Sequence, residues 1–163
     1  MDFKFKLLEI NLTDETITTQ ELPFSLIKKY IGGRGLGAKL LLDLVPSGTD
    51  PLGPDNVLIW LNGIASGTLI PGTSKHVVVT KSPVNGAYCD SYSSGGVGFQ
   101  MVYSGYHGMI VRGKAKKPSY IYIKDDVVEI RDASHLWGML SYAASEKLLS
   151  ELEGEGWGHA MIG

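Results

Sequence analysis

The sequence predicts an α+β fold that is mostly β, with a few short helices. Apolar and polar side chains alternate over residues 3–12, as in a strand with one buried face. Residues 57–61 and 77–80 are apolar or β-branched runs bounded by Gly and Pro, which is typical of buried strands. The 21 glycines cluster without a period, so they indicate many sharp turns or close backbone approaches rather than a fibrous or disordered chain.

The first elements follow from this pattern. The alternating segment predicts a half-buried strand over residues 3–12, and residues 16–20 return as the second strand of a hairpin. Ser25 is a candidate cap for a short helix that a glycine pair interrupts. Helical spacing then resumes over residues 36–44 and ends before a proline. The sequence therefore predicts a hairpin followed by two short helices.

The later part of the chain shows the same mixture of short elements. Six segments are recognisable: three short strands, a hairpin about an Asp-Asp turn, one amphipathic helix and the beginning of a further strand. They are strands at residues 57–61, 77–80 and 109–111, the hairpin at 120–130, the helix at 140–152, and the beginning of a strand at 158–163.

Composition limits the functional classes. The chain is 44% hydrophobic and 20% charged with a formal net charge of −2, which is typical of a globular domain and gives no electrostatic case for nucleic acid. One cysteine excludes a disulfide framework or a cysteine-rich metal site within the chain. No signal-peptide segment or membrane-spanning stretch is apparent. We therefore expect one cytoplasmic domain with neither a nucleic-acid nor a membrane partner.

The run YSSGGVG at residues 92–98 is the strongest functional signal from the residues themselves. Successive amides of such a run, which contains Ser93, Ser94, Gly95 and Gly96, can surround an anion such as a phosphate. A tight turn between two strands explains the same composition, and both interpretations stay open at this point.

Two other segments carry candidate anion-binding side chains. Lys75 precedes a strand and can neutralise a phosphate as a point charge, whereas the adjacent His76 is more typical of a strand edge than of a metal site. The segment GGRGLG at residues 32–37 lacks the dinucleotide spacing and the preceding strand. Arg34 either binds an anion or belongs to a glycine hinge between two helices. No side-chain metal site is predicted.

Taken in order, six blocks resemble the N-terminal domain of the tungsten-dependent aldehyde ferredoxin oxidoreductases. The resemblance covers essentially the whole chain, and linked blocks are more specific than any single glycine motif. The blocks are YIGGRGLG at 30–37, DPLGPDN at 50–56, VVTKSP at 78–83, SGG at 94–96, GKAKKP at 113–118 and DASHLWG at 132–138.

The resemblance implies two β-sheets that form a base for a bis-pterin cofactor carrying tungsten or molybdenum. It implies cofactor contacts at Lys75, Ser93, Ser94, Gly95 and Gly96. The family typically has Arg where Lys75 stands and Asn where Ser93 stands. Both differences weaken the side-chain contacts, because Lys lacks the forked donor of Arg and Ser lacks an amide. Main-chain contacts are less affected.

The resemblance also implies that residues 1–163 are the cofactor-binding first domain of a longer enzyme. That enzyme would oxidise an aldehyde to a carboxylate and pass electrons through a [4Fe-4S] cluster to ferredoxin. Later domains would supply the cluster, Mg, the catalytic residues and the substrate channel. We expect the isolated fragment to lack catalytic residues, activity and cofactor, and to self-associate as a homo-oligomer through apolar surface that those domains would cover. A stand-alone phosphate- or nucleotide-binding module and a structural assembly domain are the alternatives.

Overall fold

The predicted N-terminal hairpin and the two helices after it are present in the computed structural model, which describes residues 4–162. Strands β1 (Phe5–Asn11) and β2 (Thr16–Leu22) pair antiparallel in register. Helices α1 (Phe24–Tyr30) and α2 (Gly33–Leu44) follow. The first residue of the predicted N-terminal strand, like the last residue of the predicted C-terminal one, lies outside the described residues.

The start of α1 and the break before α2 have separate causes. Pro23, not Ser25, occupies the N-cap position, and its carbonyl accepts the first backbone bonds of the helix, so the predicted serine cap was wrong. Ile31 adopts a left-handed φ of 58° and ends α1, and Gly32 then takes a φ of 68° at the N-cap of α2. The glycine pair therefore acts as the hinge that was one of its two interpretations.

Eight further elements follow in the described part of the chain. They are β3 (Val57–Asn62), β4 (His76–Lys81), β5 (Tyr88–Ser93), α3 (Gly96–Tyr103), β6 (Gly108–Arg112), β7 (Ser119–Lys124), β8 (Val127–Asp132) and α4 (Ser141–Glu151). Six strands form one sheet in the order β2-β1-β6-β3-β4-β5, and β7 and β8 form a separate two-stranded sheet. Every neighbouring pair is antiparallel except β1 and β6, which are parallel. The prediction of two sheets is confirmed.

The large sheet is covered on both faces. Phe5 and Leu7 of β1 belong to the core beneath α1 and α2, whereas Leu8 and Ile10 belong to a second core beneath α3 and the β7–β8 hairpin. The expectation of a half-buried first strand was therefore wrong, because both of its faces are packed. The longest described helix, α2, has 12 residues. Within residues 4–162, no helix has the length and apolar character needed to cross a membrane.

Three features of the fold differ from the sequence expectations. Neither β5 nor α3 was predicted, and the glycine run connects this strand to this helix rather than two strands. Residues 158–162 form no strand, since they pass over the beginning of α3, where the backbone of Gly158 contacts Val97. The hairpin at residues 120–130 and the amphipathic helix after it are confirmed as β7–β8 and α4.

Candidate functional site

The glycine run forms the beginning of α3. β5 ends at Ser93, and Gly95 takes the N-cap position with a φ of 113° and a ψ of −164°, a conformation that a residue with a side chain rarely adopts. No side chain in the described part of the chain caps the helix. The first amides of a helix have no partner within it and carry its positive dipole end, so they attract anions. Residues 93–96 are exposed, whereas the next two residues are half-buried and buried, so Gly96 is the most exposed residue at this end of the helix.

A pocket of about 340 Å³ opens beside this helix start. One wall is the loop between β5 and α3, and the other is residues 156–162, which we call the C-terminal strap. The volume is at the lower end of the range for ligand-binding pockets in proteins. The pocket is lined by His76, Ser93, Ser94, Gly96, Val97, Trp157, Gly158, His159, Ala160 and Met161.

The strap is held against α3 by specific contacts. The side-chain amide of Gln100 donates a 2.7 Å hydrogen bond to the carbonyl oxygen of Gly156. A Cβ built on Gly158 would lie only 2.5 Å from Val97 Cα, so the two backbones are as close as glycine permits. The ring of Trp157 lies 5.4 Å from that of Tyr122 on β7. The strap thus attaches α3 to the small sheet and closes one side of the pocket.

The structure brings the predicted residues to the same end of the large sheet, but not all of them line the pocket. In the β4–β5 ladder His76 is opposite Ser93. Lys75 and Ser94 are therefore the residues just beyond the ends of these two adjacent strands. Ser93, Ser94 and Gly96 line the pocket, whereas Gly95 shapes the turn behind it. Lys75 is exposed, does not line the pocket, and forms no ion pair with any described residue.

The sequence analysis did not assign His76, Val97 or residues 157–161 to the site, although all of them line the pocket, and His76 is the buried one among them. It is 4% exposed, and its ring stacks on Trp60 with the centroids 4.3 Å apart and the planes 15° from parallel. Burial lowers the pKa of its imidazole below the ordinary value, so the ring is neutral near pH 7. The sequence signal was the alternation of β4, where Val77 and Val79 enter the α2 core and thereby turn His76 toward α3.

Several buried polar atoms of His76 and its neighbours have no hydrogen-bond partner among the described residues. They are Nδ1 of His76, both side-chain amide atoms of Asn62, and Nε1 of Trp60. A Cβ built on Gly98 of α3 would lie 3.0 Å from Asn62 Oδ1 and 3.3 Å from His76 Nδ1. The absence of a side chain at Gly98 therefore lets α3 approach this polar cluster closely.

The other candidate side chains do not join this pocket. Arg34, at the beginning of α2, pairs with Asp90 at 3.9 Å and lies 6.0 Å from the centre of the Tyr92 ring. Within residues 4–162, no three side chains of His, Cys, Asp or Glu are grouped so that they could hold a metal ion. Any ligand of the pocket would therefore meet mainly backbone groups, the hydroxyls of the β5–α3 loop, the buried imidazole of His76 and the exposed imidazole of His159.

Comparison with known proteins gives a consistent result. The family model described as aldehyde ferredoxin oxidoreductase, N-terminal domain, matches residues 7–163. The tungsten-containing aldehyde ferredoxin oxidoreductase of Pyrococcus furiosus is 44% identical over 133 residues, a match that covers 82% of this chain and 22% of that protein. The WOR-like subunit of the aliphatic sulfonate oxidoreductase of the same organism is 41% identical over 153 residues, covering 92% of this chain and 24% of that protein.

A solved structure extends this comparison to the fold. The active site complex BamBC of benzoyl coenzyme A reductase, in complex with 1,5-dienoyl-CoA, superposes with a TM-score of 0.88 at 35% identity. The match covers 91% of this chain and 23% of that one. The chain thus spans about a quarter of the length of these relatives.

Proposed function

The chain belongs to the aldehyde ferredoxin oxidoreductase family, as its N-terminal domain, and from this we propose that it seats the pterin cofactor of a tungsten-dependent oxidoreductase. The observation that carries the proposal is the open N-terminus of α3 beside a pocket. Phosphate groups bind at such helix ends, because amides and the helix dipole both favour negative charge. The two sheets would then be the base on which the cofactor rests.

The residues of the pocket fit part of such a cofactor. The exposed backbone of residues 94–96 suits a phosphate, and the side chain of His76 forms part of the pocket lining. A pocket of about 340 Å³ accommodates part of a bis-pterin rather than all of it, so other domains would supply the remaining contacts. When bound, the metal–pterin group supplies the redox chemistry, and this chain positions it.

Two side chains, Lys75 and Ser93, differ from the Arg and Asn that are typical of the family. These differences matter less where main-chain groups provide most of the contacts. Lys75 is exposed at the sheet end and would act on a phosphate as a mobile point charge. Ser93 donates a long hydrogen bond, 3.4 Å, to the carbonyl of Ser94 and offers one hydroxyl to the pocket. Neither difference removes the amides of Gly96 and Val97, so we propose that these amides hold the anion and that Lys75 adds attraction.

In the longer protein we propose oxidation of an aldehyde to a carboxylate, with electrons leaving through a [4Fe-4S] cluster to ferredoxin. The isolated chain would be inactive, since the proposed catalytic and cluster-binding residues belong to other domains. The names of the relatives include an aliphatic sulfonate oxidoreductase and a benzoyl coenzyme A reductase complex as well as aldehyde enzymes. We therefore propose that substrate choice is made outside this domain.

The anion site is testable on the chain itself. Inorganic pyrophosphate is titrated into the ¹⁵N-labelled protein, and amide shifts are followed by NMR. We expect the largest shifts at residues 94–98, because the amides of Gly96 and Val97 would hold the anion and the neighbouring amides would sense its charge. Lys75→Gln should weaken binding about twofold to fivefold, the range of an exposed charge contact. Lys116→Gln is the matched control, since Lys116 is exposed on a different loop, and it should leave the affinity unchanged.

Other outcomes of this titration separate the hypotheses. Shifts spread over scattered lysines, with residues 94–98 unmoved, would contradict the anion site. Preferential binding of purine nucleotides over pyrophosphate and pterins would favour a stand-alone nucleotide-binding module. The cofactor itself is tested on a version that includes any sequence following residue 163, by tungsten, molybdenum and pterin analysis together with aldehyde-dependent dye reduction. Absence of both metals and of pterin would contradict the proposed function.

A further inference from the structure

His76, the first residue of the buried strand β4, has two features that are typical of residues that contact a ligand. It is 4% exposed yet lines the pocket, and the stack on Trp60 fixes the plane of its ring. A stacked, buried ring loses few additional rotamers when it binds something, so its hydrogen-bonding edge is preorganised. This arrangement exceeds what a residue needs merely to fill the sheet end.

The surroundings of His76 are short of hydrogen-bond partners. Asn62 is fully buried, at 0% exposure, and neither its amide nitrogen nor its oxygen has a partner among residues 4–162; the same holds for Nδ1 of His76. An unsatisfied buried polar group costs about 1–3 kcal/mol, and native proteins contain few of them. Three such atoms in one cluster mark this end of the sheet as polar. Asn62 does not line the pocket and Nδ1 of His76 faces Gly98, so ordered water is the partner expected for these atoms, and the other ring nitrogen of His76 is the one left for a pocket ligand.

We propose that the imidazole of His76 forms a hydrogen bond with the uncharged heterocyclic part of the pterin ligand, while the α3 amides and Lys75 hold its phosphate. This inference rests on the proposed function and assigns a second, chemically distinct subsite within the same pocket. Nε2 is the ring atom that makes the contact, since Nδ1 is enclosed against Gly98.

The division between the two subsites follows from charge. Burial lowers the pKa of His76, so its ring offers one donor and one acceptor and no charge near pH 7. A neutral imidazole suits the amide-like edge of a pterin, which also carries donors and acceptors. The ammonium of Lys75 is exposed on the neighbouring residue and suits the phosphate instead. A ligand with both parts would contact both residues, whereas pyrophosphate alone would contact only the anion subsite at the α3 amides and Lys75.

The test uses two probes on the 163-residue chain. Neopterin carries the heterocycle without a phosphate, and inorganic pyrophosphate carries the phosphates without a heterocycle. His76→Phe keeps an aromatic ring against Trp60 and removes both nitrogens. We expect this variant to bind neopterin about threefold to tenfold more weakly, the effect of one lost hydrogen bond, and to bind pyrophosphate unchanged. Lys75→Gln should show the opposite pattern, and His76→Gln, which keeps a donor and an acceptor, should retain part of the neopterin affinity.

A measurement on the wild-type chain covers the case in which His76→Phe fails to fold. The ¹⁵N shifts of the His76 imidazole should move on saturation with neopterin and stay in place with pyrophosphate. Unmoved imidazole shifts, or equal neopterin affinity in folded His76→Phe, would overturn this inference while pyrophosphate binding at residues 94–98 still supports the proposed function. Binding of pyrophosphate without neopterin would also overturn it. If neither probe binds the wild-type chain, the proposed anion site fails and the inference fails with it.

Discussion

Replacement of Gly158 by alanine should detach the C-terminal strap from α3. The added Cβ would lie 2.5 Å from Val97 Cα, 2.7 Å from Val97 N and 2.9 Å from the carbonyl carbon of Gly96. All three are backbone atoms, so no side-chain rotation relieves the contact. Carbon atoms pack best at about 3.5–4.0 Å, and the strap must therefore move away by about 1 Å.

The expected magnitude follows from the contacts that such a shift breaks. The hydrogen bond from Gln100 to the carbonyl of Gly156 is 2.7 Å long, and losing it costs about 1 kcal/mol. The contact between the rings of Trp157 and Tyr122, at 5.4 Å between centroids, contributes about 1 kcal/mol more. We expect the free energy of local strap opening to fall by about 2 kcal/mol, with little change in the global free energy of unfolding.

Limited proteolysis measures this opening directly. Chymotrypsin cleavage after Trp157, followed by mass spectrometry of the fragments, reports the population of the open strap when opening is fast relative to cleavage. A change of 2 kcal/mol predicts cleavage about thirtyfold faster in Gly158→Ala. Gly96→Ala is the control, because its Cβ would lie 3.7 Å from Gly158 Cα, an ordinary contact, and its rate should stay within about twofold. Equal cleavage of Gly158→Ala and wild type would refute the close contact.

Further predictions concern the cluster beneath α3 and the charged subsite. Gly98→Ala should lower the free energy of unfolding, measured by urea denaturation, by about 1 kcal/mol, although alanine has the better helix propensity. The reason is that its Cβ would lie 3.0 Å from Asn62 Oδ1 and 3.1 Å from the carbonyl oxygen of Ser74. A more stable variant would contradict this packing. Burial lowers the pKa values of His76 and His107, so the unfolded chain binds protons at higher pH than the folded chain. Stability should be complete above the ordinary pKa of 6.5 and decline as the pH falls toward the lowered values, less steeply in His76→Phe; equal slopes would exclude His76 as a source of the decline. The difference in pyrophosphate affinity between Lys75→Gln and the wild type should disappear at high salt, because salt screens an exposed charge. A difference that does not depend on salt would argue against a point-charge contact.

The fold was predictable wherever side chains alternate and turns have their own chemistry. The β7–β8 hairpin followed from its alternation and its Asp-Asp turn, and Asp125 indeed has a left-handed φ of 51°. β5 was not predictable, since five of its six residues are exposed and no buried face imposes a pattern on this edge strand. α3 was hidden for another reason, because Gly96 and Gly98 are poor helix formers and packing against the sheet overrides their propensity.

Part of the lining of the pocket could be predicted from the sequence, whereas its buried side chain could not. Ser94 and Gly96 were assigned from the small residues of the run, and they line the pocket. His76 was not assigned, because the alternation of β4 places it on the face opposite Val77 and Val79 but does not show what covers that face. Its environment depends on which element covers that face of β4, and the covering element is α3, whose existence the sequence did not indicate.

Close contacts between backbones at this pocket explain why the two differences from the family pattern, at Lys75 and Ser93, need not abolish binding of the proposed ligand. Gly158 lies directly on the backbone of Val97, and Gly98 lies against the polar cluster of Asn62 and His76. A larger residue at Gly98 would displace α3, which presents the amides, and one at Gly158 would displace the strap, which forms the opposite wall. Exchanging one cation or hydroxyl at the rim leaves both walls in place. We therefore expect substitutions at Gly98 and Gly158 to impair phosphate binding more than Lys75→Gln does. The opposite order would mean that rim side chains, not the helix start, hold the anion.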